Sequence, residues 1–377
     1  MPFYYSIRDD TPEQRKRTAE GLLRLRAQLK DEVPKRTVTD TLLLATWNIR
    51  EFDSSKYGFR TSEALHYIAE VISHFDLVAI QEVREDLSAL DQVQRMLGGW
   101  WKYIVTDVTE GSSGNGERMA FMYDDRKVRF GGLAGEVVLP AKKDDPVLQF
   151  ARTPFLCGFR AGWVKFNLCS VHVYYGKSVA DDPRRVKEIG DLAQLLAKRV
   201  QPAMQPSRPQ GEATSIRNTS GENMILLGDF NIFARDDETF KALTDPGFQI
   251  PKALMNLPGS NLGQSKYFDQ IAFLCRPDRF EATDRAGVFN YSRSVFGDGD
   301  EAVYVEAMGE DYANKPTPEK KARYYKDWRT YQMSDHLLLW CELRIDFSRE
   351  YLERAREEQA ADAAGDGGDQ DGEPKGA

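Results

Sequence analysis

Cysteine and histidine are scarce in this chain, basic residues are outnumbered by acidic ones, and long apolar runs are missing. Only four of the 377 residues are cysteine: Cys157, Cys169, Cys275 and Cys341. None forms a Cys-x-x-Cys pair, which argues against a zinc site or a dithiol centre. Each sits in an apolar, strand-like run, where a reduced thiol packs as a small hydrophobe. No apolar stretch approaches the ~20 residues needed to span a membrane. The first residues, Met1-Pro2-Phe3-Tyr4-Tyr5-Ser6, lack the basic region and apolar stretch of a secretory signal. Together these absences predict a cytoplasmic protein, and a monomer is expected.

A formal charge of −8 speaks against a tight, non-specific polyanion binder, whose affinity comes from neutralising phosphates. Half of that charge lies in residues 354–377, where seven acidic residues face three basic ones. Carboxylates gathered to hold a divalent cation also add negative charge that the ion offsets. The balance therefore leaves phosphate chemistry open.

Hydrophobic content of 41% is enough for a sizeable core. Residues 1–39 read as an accessory segment with an amphipathic helix over Thr11–Leu29, carrying Leu22, Leu23, Leu25 and Leu29. Residues 40–350 read as one catalytic domain, and 351–377 as an acidic disordered tail. Apolar, β-branched runs predict strands at Thr41–Ile49, Leu77–Ile80, Met119–Tyr123, Asn167–Tyr174, Met224–Leu227, Ile271–Cys275 and Leu337–Leu343. Helices are predicted at Ser62–Ser73 and, with Asp182 as cap and Pro183 at the first position, at Pro183–Arg199. Gln201–Asn223 reads as a flexible loop. Strands mixed with a few helices point to packed sheets covered by helices.

Short polar blocks end these apolar runs. In order they hold Asn48, Glu82, Glu117, Arg152, His172, Asp229 with Asn231, Asp269, and Ser334-Asp335-His336. A carboxylate, amide or imidazole at a strand end faces a cleft, where it can meet a cation or a phosphate oxygen. Glu82 directly follows Leu77-Val78-Ala79-Ile80-Gln81, which makes it the strongest metal-ligand candidate, with Asn48 beside it. His336 suits a general base, because imidazole titrates near ~6.5. His172 alternates with apolar neighbours and suits a charged donor or the acid for a leaving oxygen. Asp229 suits a water acceptor or a residue steering a histidine, and Asn231 a phosphate donor. Arg152 offers a forked donor to phosphate. Glu117 suits a brace for the first histidine or a second metal position. The remaining histidines, His66 and His74, fall on or beside a helix and read as packing or surface groups. Ser112-Ser113-Gly114-Asn115-Gly116 lacks the Gly-Lys-Ser/Thr ending of a phosphate loop and reads as a connection.

The order of Gln81-Glu82-Val83, Gly228-Asp229-Phe230-Asn231 and Ser334-Asp335-His336 resembles the endonuclease/exonuclease/phosphatase superfamily over roughly residues 40–346. Glu117-Arg118-Met119-Ala120-Phe121 and Phe150-Ala151-Arg152-Thr153-Pro154-Phe155 are similar to stretches of its deoxyribonuclease I branch. Gln270, after Asp269, departs from the His or Arg usual in relatives. The resemblance implies a four-layer α/β sandwich of two packed mixed sheets flanked by helices. It also implies a Mg²⁺-dependent phosphodiester hydrolase, with Mn²⁺ or Ca²⁺ as alternatives. Asp269 would orient the ring of His336, and Asp335 would be a further metal-proximal carboxylate. Whether Asp229 or the Asp269–His336 pair is the base stays open, as does one ion against two.

Lys320, Lys321, Arg323, Tyr324, Lys326, Trp328 and Arg329 lead into the Ser-Asp-His block. Interleaved cations and aromatics suit phosphate contacts with base stacking, so DNA is the expected substrate. The alternative is a phosphatase or phosphodiesterase of phospholipid headgroups, inositol phosphates or protein–DNA adducts.

Overall fold

A computed structural model describes residues 2–54, 56, 58–109, 115–140, 148–204, 223–275 and 280–365. The strands in chain order are β1 (Thr41–Phe52), β2 (Leu77–Val83), β3 (Trp101–Val105), β4 (Arg118–Asp124), β5 (Val128–Glu136) and β6 (Phe155–Ala161). They continue as β7 (Val164–His172), β8 (Met224–Asp229), β9 (Asp269–Leu274), β10 (Ala282–Phe289) and β11 (Leu338–Arg344). The longer helices begin with α1 (Pro12–Glu32), α2 (Ser62–Ser73), α3 (Ser88–Leu97) and α4 (Pro183–Met204). Then follow α5 (Glu238–Thr244), α6 (Lys252–Met255), α7 (Val305–Ala313), α8 (Pro318–Gln332) and α9 (Ser348–Gly365).

One sheet has six strands in the order β10-β11-β1-β2-β4-β3, the other five in the order β5-β6-β7-β8-β9. Strand alternation explains why they stack. Leu42 and Leu44 of β1, with Leu77 and Ala79 of β2, face Ile225 and Leu227 of β8 in the core between the sheets. Their neighbours Leu43, Ala45 and Trp47, with Val78 and Ile80, face the helices outside the first sheet. Met224 and Leu226 likewise face α4 through Leu192 and Leu196. In these central strands apolar residues at both phases need cover on the outer side as well, and helices supply it there. The result is the four-layer α/β sandwich.

Local chemistry sets the helix starts. Thr11 accepts from the Gln14 N–H while Gln14 returns the bond to the Thr11 N–H, a reciprocal cap ahead of Pro12. Leu22, Leu25 and Leu29 of α1 then pack into the same cluster as α2.

The tail departs from expectation. Residues 348–365 form α9, where Arg349 Nε pairs with Glu353 Oε1 at 2.9 Å, one turn on. Ala, Glu and Arg dominate there, all strong helix formers, and glycine becomes frequent only beyond. Residues 366–377 of that tail, 205–222 of the expected loop and 112–114 of the Ser-Gly block lie outside the described residues.

Candidate active site

Backbone register assembles half of the site before any side chain is considered. At one end of the second sheet His172 pairs with Asp229, and Asp229 pairs with Asp269, on adjacent strands β7, β8 and β9. Partners in register share a face, here the inter-sheet one, because Leu227 and Ile271 on the same phase belong to that core. Asn48 extends the inter-sheet phase of β1 beyond Leu44 and Thr46, meeting this row from the opposite sheet. Below them Gln81 accepts from Thr46 Oγ1 at 3.2 Å and donates to Ser170 Oγ at 2.9 Å, tying the sheets together with a satisfied polar layer.

Glu82 arrives by another route. Simple alternation would send it away from the cleft. The β2–β4 pairing shifts register between Ile80 and Val83, and Glu82 takes φ +61°. That turn brings Glu82 Oε1 within 2.9 Å of Asn48 Nδ2, while Oε2 accepts from the Glu51 N–H at 2.7 Å. A non-glycine residue in the left-handed region is uncommon and clusters at functional sites. Glu51, at φ +43°, shares the feature. Buried Arg60 holds this corner by donating to the carbonyls of Arg50 and Glu51.

Two histidines flank one carboxylate. Asp229 Oδ2 lies 3.5 Å from His172 Nε2 and 3.6 Å from His336 Nε2. It also accepts from Asn48 Nδ2 at 2.9 Å, while Oδ1 accepts from the Asn231 N–H at 2.9 Å. Each ring is braced on its far side: His336 Nδ1 by Asp269 Oδ2 at 2.8 Å, His172 Nδ1 by Glu117 Oε2 at 2.7 Å. All are buried except Glu82, which is partly open.

Burial opposes the charged form of His336, yet Asp269 and Asp229 raise it well above the ordinary histidine value. Burial and Arg152 likewise oppose charge on His172, while Glu117 and Asp229 raise it. Burial pushes Glu117 up, but His172 and Arg152 outweigh it and hold this carboxyl well below its usual range. For Glu82 burial dominates and raises the carboxyl, relieved in part by His172. A buried carboxyl poised in this way gains from a cation beside it.

Oxygen donors suited to a hard divalent ion are gathered at this end. Asn48 Oδ1 is buried and accepts no hydrogen bond among the described residues, because its amide nitrogen serves both Glu82 and Asp229. Asp335 is half open and reaches Arg50 Nε at 3.8 Å. Asp229, Asp269 and His336 form a second grouping, one donor atom from each lying within 4.8 Å of the others. The oxygen and nitrogen donors gathered here are of the kinds that can hold a divalent cation.

Other expected contacts are placed differently. Arg152 does not extend its fork into the cleft: Nε and Nη2 each reach a Glu117 oxygen at 3.1 Å, making it a brace for the Glu117–His172 pair. The Asn231 amide donates to the Val173 carbonyl at 2.9 Å, holding the ends of β7 and β8 together rather than facing a phosphate. On α8, Trp328 is buried among Phe296 and Tyr304, and Arg329 pairs with Asp298 at 2.6 Å. Both therefore leave the set of nucleic-acid contacts, because the apolar stripe of α8 must pack on the sheet. Lys321 lies over the Tyr312 ring, and Tyr324 packs against Tyr312. Lys320, Arg323 and Lys326 are exposed. At helical spacing Lys320 and Arg323 share a stripe with Asp327, Thr330 and Tyr331, and Lys326, three residues after Arg323 and four before Thr330, borders it.

Ser334 and Arg50 had no sequence signal beyond lying in recognised blocks. The Ser334 hydroxyl donates to the Asn48 carbonyl at 2.6 Å and accepts from the His336 N–H at 2.9 Å, locking the two strand ends together. Arg50 stacks 4.1 Å over Tyr331 and bonds Thr330, which links α8 to the site. Gln270 settles the departure beside Asp269: it donates to the Tyr267 carbonyl at 2.7 Å, leaving His336 as the partner of Asp269.

The model of the Endonuclease/Exonuclease/phosphatase family matches residues 45–336. No curated protein matches the chain by sequence. Among solved structures, the human Nocturnin catalytic domain with bound sulfate superposes with a TM-score of 0.50 at 13% identity, covering 80% of this chain and 94% of that one. A mannosyl-6-phosphatase of Bacteroides thetaiotaomicron gives 0.46 at 18% identity, covering 80% and 99%. D. rerio TDP2 complexed with a single-stranded DNA product gives 0.48 at 11% identity, covering 80% and 98%. The family pattern runs from the strand carrying Asn48 to His336, and the chain belongs to the endonuclease/exonuclease/phosphatase family, whose members hydrolyse phosphoesters.

Proposed function

We propose that this chain is a Mg²⁺-dependent phosphodiesterase acting on nucleic acid, DNA foremost, by attack of a water activated at the Asp229–His336 pair. The observation that carries the reading is the shared Asp229 Oδ2, flanked by two braced imidazoles and next to the Asn48–Glu82 oxygen cluster. A divalent cation held by Glu82, Asn48 and Asp335 would reduce charge repulsion at the phosphate and stabilise the leaving alkoxide.

The protein's own groups divide the remaining work. Asp269 fixes the orientation of His336 and supports its charged form, so Nε2 faces the cleft and Asp229. Water held between His336 Nε2 and Asp229 Oδ2 has a proton acceptor within reach. His172, braced by Glu117 and Arg152, turns Nε2 toward the same carboxylate and serves as donor to the phosphoryl oxygens or the leaving oxygen. Ser334 keeps β1 and His336 in register, which preserves these separations.

A nucleic-acid substrate is supported by the exposed Lys320 and Arg323, whose stripe on α8 leads to Tyr331 and Arg50 at the edge of the cluster. The test is incubation with circular plasmid, single-stranded oligonucleotide, RNA and an inositol polyphosphate, with Mg²⁺ or EDTA. Mg²⁺-dependent cleavage of the plasmid or oligonucleotide is the expected result. Turnover of the inositol polyphosphate alone would overturn the substrate assignment.

A further inference from the structure

We propose that a line of cations at the far end of the second sheet, Arg129, Arg160 and Lys165, is a binding surface for a nucleic-acid strand. It extends the reading of the substrate as nucleic acid and lies away from the catalytic cluster. Lys165 and His172 sit near opposite ends of β7, seven residues and roughly 23 Å apart at strand rise.

Pairing makes the line. Arg129 on β5 stands opposite Arg160 on β6, and Arg160 stands opposite Lys165 on β7. Partners in register share a face, so the three follow one another at the strand spacing of about 4.8 Å. Their sequence neighbours Val128, Phe159, Ala161, Val164 and Phe166 fill the inter-sheet core, which turns the cations outward. All three are exposed, and none is paired with a carboxylate among the described residues. Like charges directly opposite on paired strands are destabilising. Three in succession, in a chain of net charge −8, run against both the local energetics and the overall composition. A bound polyanion removes that repulsion.

The surroundings select the polyanion. Arg129 and Arg160 line a concavity of about 990 Å³ together with Trp163, which is 56% exposed in the β6–β7 turn. Tyr351 packs against the indole, ring centroids 5.5 Å apart. Asp346 also lines the space, but its carboxylate accepts from the Ser348 N–H at 2.9 Å. A cation row beside an exposed indole suits a strand, whose phosphates meet the charges while a base stacks on the ring. Its concave shape fits a strand better than a flat bilayer.

The test is fluorescence anisotropy of a fluorescein-labelled oligothymidylate in EDTA, titrated with the wild type and with R129Q/R160Q/K165Q over a range of KCl. The triple variant should bind at least about tenfold more weakly, and its log–log salt slope should fall by about 2, as for three phosphates on a single strand. Its thermal midpoint should be unchanged or higher, and its Mg²⁺-dependent hydrolysis of bis(p-nitrophenyl) phosphate unchanged. Equal affinity and slope in the two proteins would overturn the proposal. So would a loss confined to phosphatidylserine vesicles, which would assign the line to a membrane surface. Because EDTA removes turnover, binding without cleavage would fault the proposed activity alone, and cleavage with an unchanged slope would fault this surface alone.

Discussion

His336 Nδ1 lies 2.8 Å from Asp269 Oδ2, and this contact points the other ring nitrogen at Asp229. Replacing Asp269 with Asn keeps the shape but removes the charge that orients the ring and supports its charged form. We expect Asp269→Asn to lower kcat by about 10²–10⁴, the range of a lost acid–base group, with little change in thermal midpoint. Steady-state kinetics on bis(p-nitrophenyl) phosphate decide it. Wild-type turnover would remove the pair from the mechanism.

Cation binding is separable from turnover. If Glu82, Asn48 and Asp335 hold a divalent ion, Mg²⁺ or Mn²⁺ stabilises the folded protein by mass action, about 2.7 kcal/mol at a concentration 100-fold above Kd. Glu82→Gln should abolish the metal-induced rise in thermal midpoint while leaving the metal-free midpoint equal or higher, since it removes a carboxylate disfavoured by its desolvated, partly open setting. A rise of wild-type size in the variant would move the ion elsewhere.

Much of this site was legible because its residues end apolar runs. Leu77 to Ile80 announces a buried strand, and Met224 to Leu227 another, so Glu82 and Asp229 could be placed at cleft-facing ends. Their rotation about the strand was not legible. The left-handed Glu82 and the shifted pairing depend on tertiary context, and alternation alone sends that carboxylate the wrong way. Arg152 misled for a related reason: a sequence shows a fork but not which carboxylate fills it. Strands such as β5, with glycine at 131, 132 and 135, carry too little apolar patterning to be seen. The composition of α8 suggested one interface where the fold makes two faces, one of them core.

Trp328 shows which face is which. It is buried with Phe296, Tyr304 and Tyr325 around it. Trp328→Ala should cost about 3–5 kcal/mol of stability, the range for a large buried aromatic. Chemical denaturation measures it. A cost below about 1 kcal/mol, typical of a surface change, would return Trp328 to the exposed side.

Lys320 and Arg323 lie on the exposed stripe that leads to Tyr331. Replacing both with Ala should weaken oligonucleotide cleavage by about tenfold at moderate salt through lost phosphate contacts, and leave bis(p-nitrophenyl) phosphate turnover intact. Comparison of kcat/KM on the two substrates is the check. Equal losses would deny the stripe a substrate role.

Acid stability reports on a different region. His66 is fully buried on α2, and burial lowers its pKa from 6.5 to about 4. The unfolded chain takes up a proton at this residue below its ordinary value, whereas the folded chain does so only near the depressed one. Stability is therefore complete above 6.5 and is lost as pH falls from 6.5 toward 4. His66→Gln should flatten that part of the stability–pH curve. An identical slope in the variant would assign the acid loss to other groups.

The most direct test of the central claim is Mg²⁺-dependent cleavage of circular plasmid by the wild type beside His336→Ala and His172→Ala, with folding checked by circular dichroism. The account predicts nicking that EDTA abolishes and that each substitution reduces by orders of magnitude. Cleavage at wild-type rate by either folded variant, or cleavage that survives EDTA, would contradict it.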